Sequence, residues 1–426
     1  MRLRHLFLIA GSAILAMVFV PGQYSTKAAP PPAANYRVIY SFQGGTDGAN
    51  PYTDLVADAQ GNLYGTTLYG GAENCGTVFE LKQTGSGWQE QVLYSFPGGT
   101  GGAGPGSGLT FDKAGNLYGY TVGATCVNYG EPNVFKLSPD GKGNWKETSI
   151  YKFSSAYPKL STDLAIDSSG NLFGISEDSI FELAPGAKGG WKFQTLYTFQ
   201  NASDGGEPST TPVFDPSGNL WGAAALGGPG ICHASLYSGG CGIVYELSPG
   251  SGGTWTENVA YNFARGGGRA VTPSDGAPSG FILQKDGSIV ATSAAGGNGL
   301  GTVFALRPSQ KGLVQIVQHR FYGGDDGAVP IGRIINTAAG SIFGVTTRSS
   351  TNLGTVYQIQ ADQQNGWRDT VLHRFAGGTD GSYPQAGLLE ACKRHLYGTT
   401  SYGGSTTACN AAGCGTVYEI VVPDGQ

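Results

Sequence analysis

Four aspartates stand four residues before a proline, at Asp47, Asp204, Asp326 and Asp380, with Asp275 shifted by one. Set round a common axis at a channel mouth, such carboxylates could hold a cation or accept hydrogen bonds from sugar hydroxyls. Asp-Gly is equally a turn former, because the short carboxylate caps its own backbone. Recurrence in most copies of a repeat suits structure better than a single site. Tyr69 and Tyr402, each followed by Gly-Gly, could stack on a sugar ring; His233 and Tyr237 are weaker candidates. His319 and His373 both read His-Arg-Phe, but they occupy the place of Tyr40, Tyr94, Tyr151, Tyr197 and Tyr261, two before a phenylalanine. They are therefore read as repeat residues. Glu80, Glu182, Glu246 and Glu419 recur in the same manner and are expected as edge or cross-strand partners. No G-x-S-x-G, phosphate-cradling Gly-Lys-Ser/Thr, H-E-x-x-H or EF-hand-type calcium loop occurs, so no catalytic residue is assigned. The reading leans away from an enzyme.

The seven cysteines are Cys75, Cys126, Cys232, Cys241, Cys392, Cys409 and Cys414. Cys232–Cys241 and Cys409–Cys414 are the local disulfide candidates, and Cys75–Cys126 could staple neighbouring units. Spacing leaves the connectivity open. A metal site on these cysteines is disfavoured, since no C-x-x-C occurs and His233 is the only nearby histidine. Cys392 is the odd one, expected as a buried free thiol.

The elements that must position these residues repeat. An aromatic strand end recurs at Phe42, Phe96, Phe153, Phe199, Phe263, Phe321 and Phe375, giving seven copies over residues 36–422. Trp88, Trp145, Trp191, Trp255 and Trp367 each precede their phenylalanine by eight residues. Eight is even, so Trp88, Val92, Tyr94 and Phe96 are expected on one face of a strand. A proline follows nine residues after most of the phenylalanines, as at Pro51, Pro105, Pro208, Pro330 and Pro384. Then come a Gly-Asn turn (Gly61-Asn62), a strand such as Leu63-Tyr64-Gly65-Thr66-Thr67, and a third that begins Gly76-Thr77-Val78-Phe79. Each unit thus supplies four short strands that cannot cover their own apolar faces, and radial packing leaves only short edges. The prediction is all-β: a seven-bladed β-propeller of four-stranded blades. The chain enters on a fourth strand, residues 37–42, and leaves on a third, 416–422, so pairing the two closes the ring.

The run Gly61-Asn-Leu-Tyr-Gly-Thr-Thr-Leu-Tyr-Gly-Gly71, followed by Gly76-Thr-Val-Phe79, resembles the tandem unit of the GloVer (Gloeo_Verruco) repeat proteins. The likeness covers essentially the whole mature chain, with Pro132-Asn-Val-Phe135, Ser179-Ile-Phe181 and Val290 marking degenerate copies. It implies an exported bacterial repeat protein and transfers no catalytic residue. Members often carry a C-terminal surface-sorting segment; the chain ends at Gln426 with no apolar tail, so a secreted or periplasmic protein is expected, not an anchored one.

Composition bounds the remaining choices. Glycine accounts for 72 of 426 residues, about 17%, which signals turn-rich β structure without a collagen period. Arg2 and Arg4 precede an apolar stretch, Leu6–Val20, read as a signal segment; residues 1–35 are expected as signal peptide and linker and 36–426 as the propeller. Without the first 34 residues, 22 basic side chains face 30 acidic ones, a net charge of −8. That balance argues against nucleic acid and anionic membrane surfaces, so membrane contact is expected only through an uncleaved signal segment. The expected protein is a monomer without a cofactor, with calcium left open but unsupported and zinc on the cysteines disfavoured. The leading expectation is an exported, non-catalytic propeller whose long-loop face binds a glycan or an envelope protein. The alternatives are a carbohydrate-active hydrolase or lyase with loop-face carboxylates, and a structural envelope protein.

Overall fold

A computed structural model describes residues 34–123, 126, 131–153, 162–187, 189–229, 240–263, 278–297, 299–362, 366–405, 408–409 and 412–423. The expected signal segment, Asp275, Cys232, His233 and Tyr237 lie outside the described residues. The described chain forms seven four-stranded antiparallel sheets, of which blades 1 to 6 run in sequence order from inner to outer strand. In blade 1 the inner strand is split into Ala49–Pro51 and Val56–Ala57, followed by Leu63–Tyr69, Thr77–Thr84 and the outer strand Gly87–Ser95. Blade 7 is built from both ends of the fold. Its inner strands are Leu389–Cys392, His395–Thr400 and Thr416–Val421, and its outer strand is Asn35–Ser41, with Tyr36 opposite Ile420 and Val38 opposite Tyr418. The expected closure is present.

Phenylalanine at the end of each outer strand is the mortar between blades. Phe42 meets Phe79, Phe96 meets Phe135, and so on round the ring to Phe375 and Tyr418, with ring centroids 5.0–5.7 Å apart. These steeply inclined contacts suit the aromatic quadrupole. Opposite the ring of Phe79 stands Gly65, where an added Cβ would come within 2.6 Å of Phe79 Cζ. The glycine is what lets a bulky third-strand ring lie against the second strand.

One expectation about the outer strands is corrected. Trp88 packs on Tyr397 of the preceding blade, whereas Phe96 packs on Phe135 of the following one, so they face opposite ways. A β-bulge is the cause: the register slips between the pairs Val78–Tyr94 and Phe79–Val92, leaving Leu93 as an extra residue. All seven outer strands carry the slip at the same place. An inserted residue reverses the alternation beyond it, and one strand thereby serves both neighbours.

The third-strand glutamates are cross-strand partners as expected. Buried Glu80 accepts from the Tyr64 hydroxyl and pairs with Lys82 at 2.8 Å. Glu419 accepts from Arg37, His395 and Tyr397, which ties the N-terminal strand into blade 7.

Two of the expected disulfides are formed, Cys75–Cys126 between blades 1 and 2 and Cys409–Cys414 within blade 7. Cys241 is also disulfide-bonded. Cys392 is free but exposed, correcting the buried placement; it sits on the outward phase of its strand, one step before a tight turn. The Cys75–Cys126 bond spans 51 residues. Replacing both cysteines by serine should cost about 2–4 kcal/mol, read as a lower melting temperature that reductant no longer changes at this bond.

Candidate functional site

Inner strands run down the axis, and their side chains surround a central cavity of about 500 Å³. Six blades end the inner strand in the same hydrogen-bonded turn, opened by Asp58, Asp112, Asp167, Asp215, Gln284 or Thr337. Four residues before each turn comes one equivalent position, occupied by Asp54, Gly108, Asp163, Thr211, Gly280 and Arg333; Gly387 is the blade 7 counterpart. Three of the seven carry charge, and they meet. Arg333 Nε donates to Asp54 Oδ2 at 3.1 Å, and its other nitrogen lies 3.7 Å from Asp163 Oδ2. Gly387 N–H donates to the second oxygen of Asp54 and Gly108 N–H to that of Asp163, both at 2.6 Å. The Asp163 N–H donates to Thr211 Oγ1. Side-chain exposures of 15, 24 and 37% for Asp54, Asp163 and Arg333 make this a half-sheltered triad spanning blades 1, 3 and 6.

Small residues at the other places are what let it form. A Cβ on Gly387 would stand 2.1 Å from Arg333 N, and one on Gly108 would stand 2.8 Å from the Asp163 carboxylate. Burial and the Asp54 charge raise the Asp163 pKa to about 6, against the opposing pull of Arg333 and the Gly108 N–H. Burial alone would lower the Arg333 pKa, yet Asp54 and Asp163 more than offset it, so the guanidinium stays charged. Thr53, Thr110, Thr162, Ser209, Thr210 and Gln385 add hydroxyl and amide groups to the walls.

Exposed tyrosines stand at or near the ends of the inner strands. Tyr52 lines the cavity, and the segment before it is tied to blade 7: Asn50 Nδ2 donates to Ser401 O and Ser401 Oγ to Pro51 O. Tyr402 packs edge-on against Tyr383, ring centroids 5.6 Å apart. Tyr383 has φ +57, like Asn50, Glu207 and Val329, each of which also precedes the proline that opens an inner strand. That left-handed turn is uncommon for a side chain of this bulk. Tyr69 is the blade 1 counterpart of Tyr402 and pairs with Ala49.

The loop aspartates are held as turn residues. Asp47, Asp204, Asp326 and Asp380 are not among the cavity's lining residues; each is bound within its own blade-to-blade loop. Asp47 accepts from the Tyr40 hydroxyl at 2.8 Å and the Gln43 N–H at 2.5 Å. Tyr197 and Gln200 serve Asp204, His319 and Tyr322 serve Asp326, and His373 and Ala376 serve Asp380. The two histidines therefore do the work of tyrosines, in keeping with a repeat role. None of the described sequence candidates lines the cavity; Tyr402 packs on Tyr383, two residues before the lining residue Gln385. Asp54, Asp163, Arg333, Tyr52 and Tyr383 were missed, although charge at a position held elsewhere by Gly or Thr was a readable signal.

Solved structures share the fold. Virginiamycin B lyase from Staphylococcus aureus is 13% identical with a TM-score of 0.53, covering 91% of this chain and 100% of its own. Its catalytically inactive form with quinupristin gives 14% and 0.54 over the same shares. A Lactobacillus plantarum protein is 16% identical with a TM-score of 0.51, covering 80% of this chain and 89% of its own. At these identities the likeness speaks for the fold alone. No curated protein sequence matches. The Gloeobacter/Verrucomicrobia repeat model matches residues 27–180 and 176–418. The repeated strands, the closure and this match agree: the chain belongs to the Gloeobacter/Verrucomicrobia repeat family.

Proposed function

We propose that this protein is an exported, non-catalytic propeller that binds a neutral glycan at the mouth of its central cavity. The observation that carries the reading is exposed Tyr52 in the wall of a cavity lined by hydroxyls and by the Asp54–Arg333–Asp163 triad, with the exposed Tyr383–Tyr402 pair two residues along the chain from the lining residue Gln385. Aromatic faces bind the apolar faces of sugar rings, and a few convergent polar groups then fix orientation. Both triad aspartates are held by Arg333 and by backbone N–H groups, so they accept hydrogen bonds readily but are poorly placed to attack. Export is supported by the Leu6–Val20 segment and by disulfides, which persist in oxidising compartments.

Calorimetric titration with a panel of neutral oligosaccharides is the test. Tyr402→Ala and Tyr52→Ala should each weaken binding about tenfold or more, equivalent to about 1.4 kcal/mol. Asp47→Asn should leave it unchanged, because the Asp47 carboxylate is turned into its own loop, onto the Tyr40 hydroxyl and the Gln43 N–H. Silence across the panel would sink the proposal. A second reading, a carbohydrate-active hydrolase or lyase, is favoured by Asp163, whose pKa of about 6 beside the Asp54 charge suits a general acid. Release of reducing ends, abolished by Asp163→Asn, would replace the first reading with this one.

A further inference from the structure

The seams between outer strands hold a second repeating arrangement. The residue two before each phenylalanine faces the residue six before the next one. In three seams a tyrosine faces glutamate, as Tyr40 faces Glu90, Tyr94 faces Glu147 and Tyr197 faces Glu257. Where a loop aspartate joins them, the glutamate is pushed up, Glu90 to about 8 by burial and Asp47, and Glu257 to about 7 by burial and Asp204. Such a seam hosts two carboxyls by letting one keep its proton.

Between blades 5 and 6 both partners differ: histidine replaces tyrosine and the shorter aspartate replaces glutamate. His319, Asp326 and Asp369 each aim one ligand atom at a common space, all three atoms within 4.8 Å of one another. This is the one such grouping of His, Cys, Asp or Glu among the described residues. His319 Nε2 lies 3.0 Å from Asp326 Oδ1, with side chains only 12 and 18% exposed. We infer that this seam is a divalent transition-metal site, bound by one imidazole and two carboxylates. Imidazole with carboxylate suits zinc and its neighbours. With metal–ligand distances of about 2.0–2.2 Å, ligand atoms of a tetrahedral site stand about 3.4 Å apart. Asp369 is exposed and closes the small remaining gap by a side-chain movement.

The next seam shows what the site would lack without the aspartate. There His373 and Asp380 recur at 3.1 Å, but Tyr36 fills the third place and stacks on His373 at 3.5 Å. A metal at His319 would join the outer strands of blades 5 and 6, as the Cys75–Cys126 bond joins blades 1 and 2.

The test is titration of the tag-free, metal-stripped protein with Zn2+ by calorimetry, and with Co2+ by visible absorption. One equivalent should bind, and His319→Tyr and Asp369→Asn should each weaken it by about tenfold or more. His319→Tyr restores the residue of the other seams and is expected to fold. His373→Tyr should bind as the wild type does. Zn2+ should also raise the melting temperature, since a ligand of the folded state stabilises it. Absence of binding, or equal binding by His319→Tyr, would show that the seam holds only a proton and would overturn the inference.

Discussion

A chain that begins at Gln43 instead of Ala34 should lose its cooperative thermal transition and aggregate, while the chain beginning at Ala34 should melt normally. The nine residues removed supply the whole outer strand of blade 7 and its Phe42, which is fully buried against Phe79. Phe42→Ala alone should cost about 3–5 kcal/mol, a large part of the roughly 5–15 kcal/mol that holds typical domains together. The deletion adds the loss of the Arg37–Glu419 contact and of the Tyr36–His373 stack. It also bares the third strand, Thr416–Val421, as an unpaired apolar edge, a template for pairing with other chains. Scanning calorimetry with light scattering reads the outcome. A Gln43 start that keeps the wild-type transition would show that the ring does not depend on its closing strand.

Arg333→Met should destabilise the protein strongly at neutral pH and much less at pH 5. Removing one member of a buried pair costs about 3–5 kcal/mol because the other charge is stranded. The guanidinium's 37% exposure screens the interaction and lowers the expectation to about 2–3 kcal/mol. The pH dependence follows from Asp163, whose folded pKa of about 6 lies above its unfolded value of about 3.9. Between these values the folded state binds the proton more tightly. The stability so contributed is complete below about pH 3.9 and lost as pH rises through about 6. Without Arg333 the carboxyl resists ionisation still more, so acid rescues the variant. Asp163→Asn should flatten the stability profile between about pH 4 and 6 and offset part of the Arg333→Met loss in the double variant. Urea midpoints at pH 5 and 7.5 decide it; equal losses at both would rule out the triad as the cause.

The fold was legible because seven copies of Phe42 and its equivalents announce seven seams, and because the first and last strands are complementary halves of one blade. Alternation in the outer strand was misread, since an extra residue such as Leu93 leaves no mark in a pattern of apolar side chains. The cavity triad was less legible for a related reason. Asp47 and its counterparts drew notice by recurring, and they recur because each loop needs a cap for the Tyr or His two residues before the phenylalanine. At the position of Asp54, Asp163 and Arg333, aspartate stands in only two of the seven copies and arginine in one. Comparing copies treats them as noise, and only the ring brings Arg333 to within 4 Å of both aspartates from distant blades.

The equivalent inner-strand position has a consequence for how such a protein can change. Read round the axis it spells Asp, Gly, Asp, Thr, Gly, Arg, Gly, one letter from each copy. The aromatic contacts that hold neighbouring blades together lie elsewhere along the chain. Duplicated units can therefore differ in this single letter while keeping those aromatic contacts. Four of the seven letters, at Asp54, Asp163, Thr211 and Arg333, already carry side chains, and there one scaffold can spell different words.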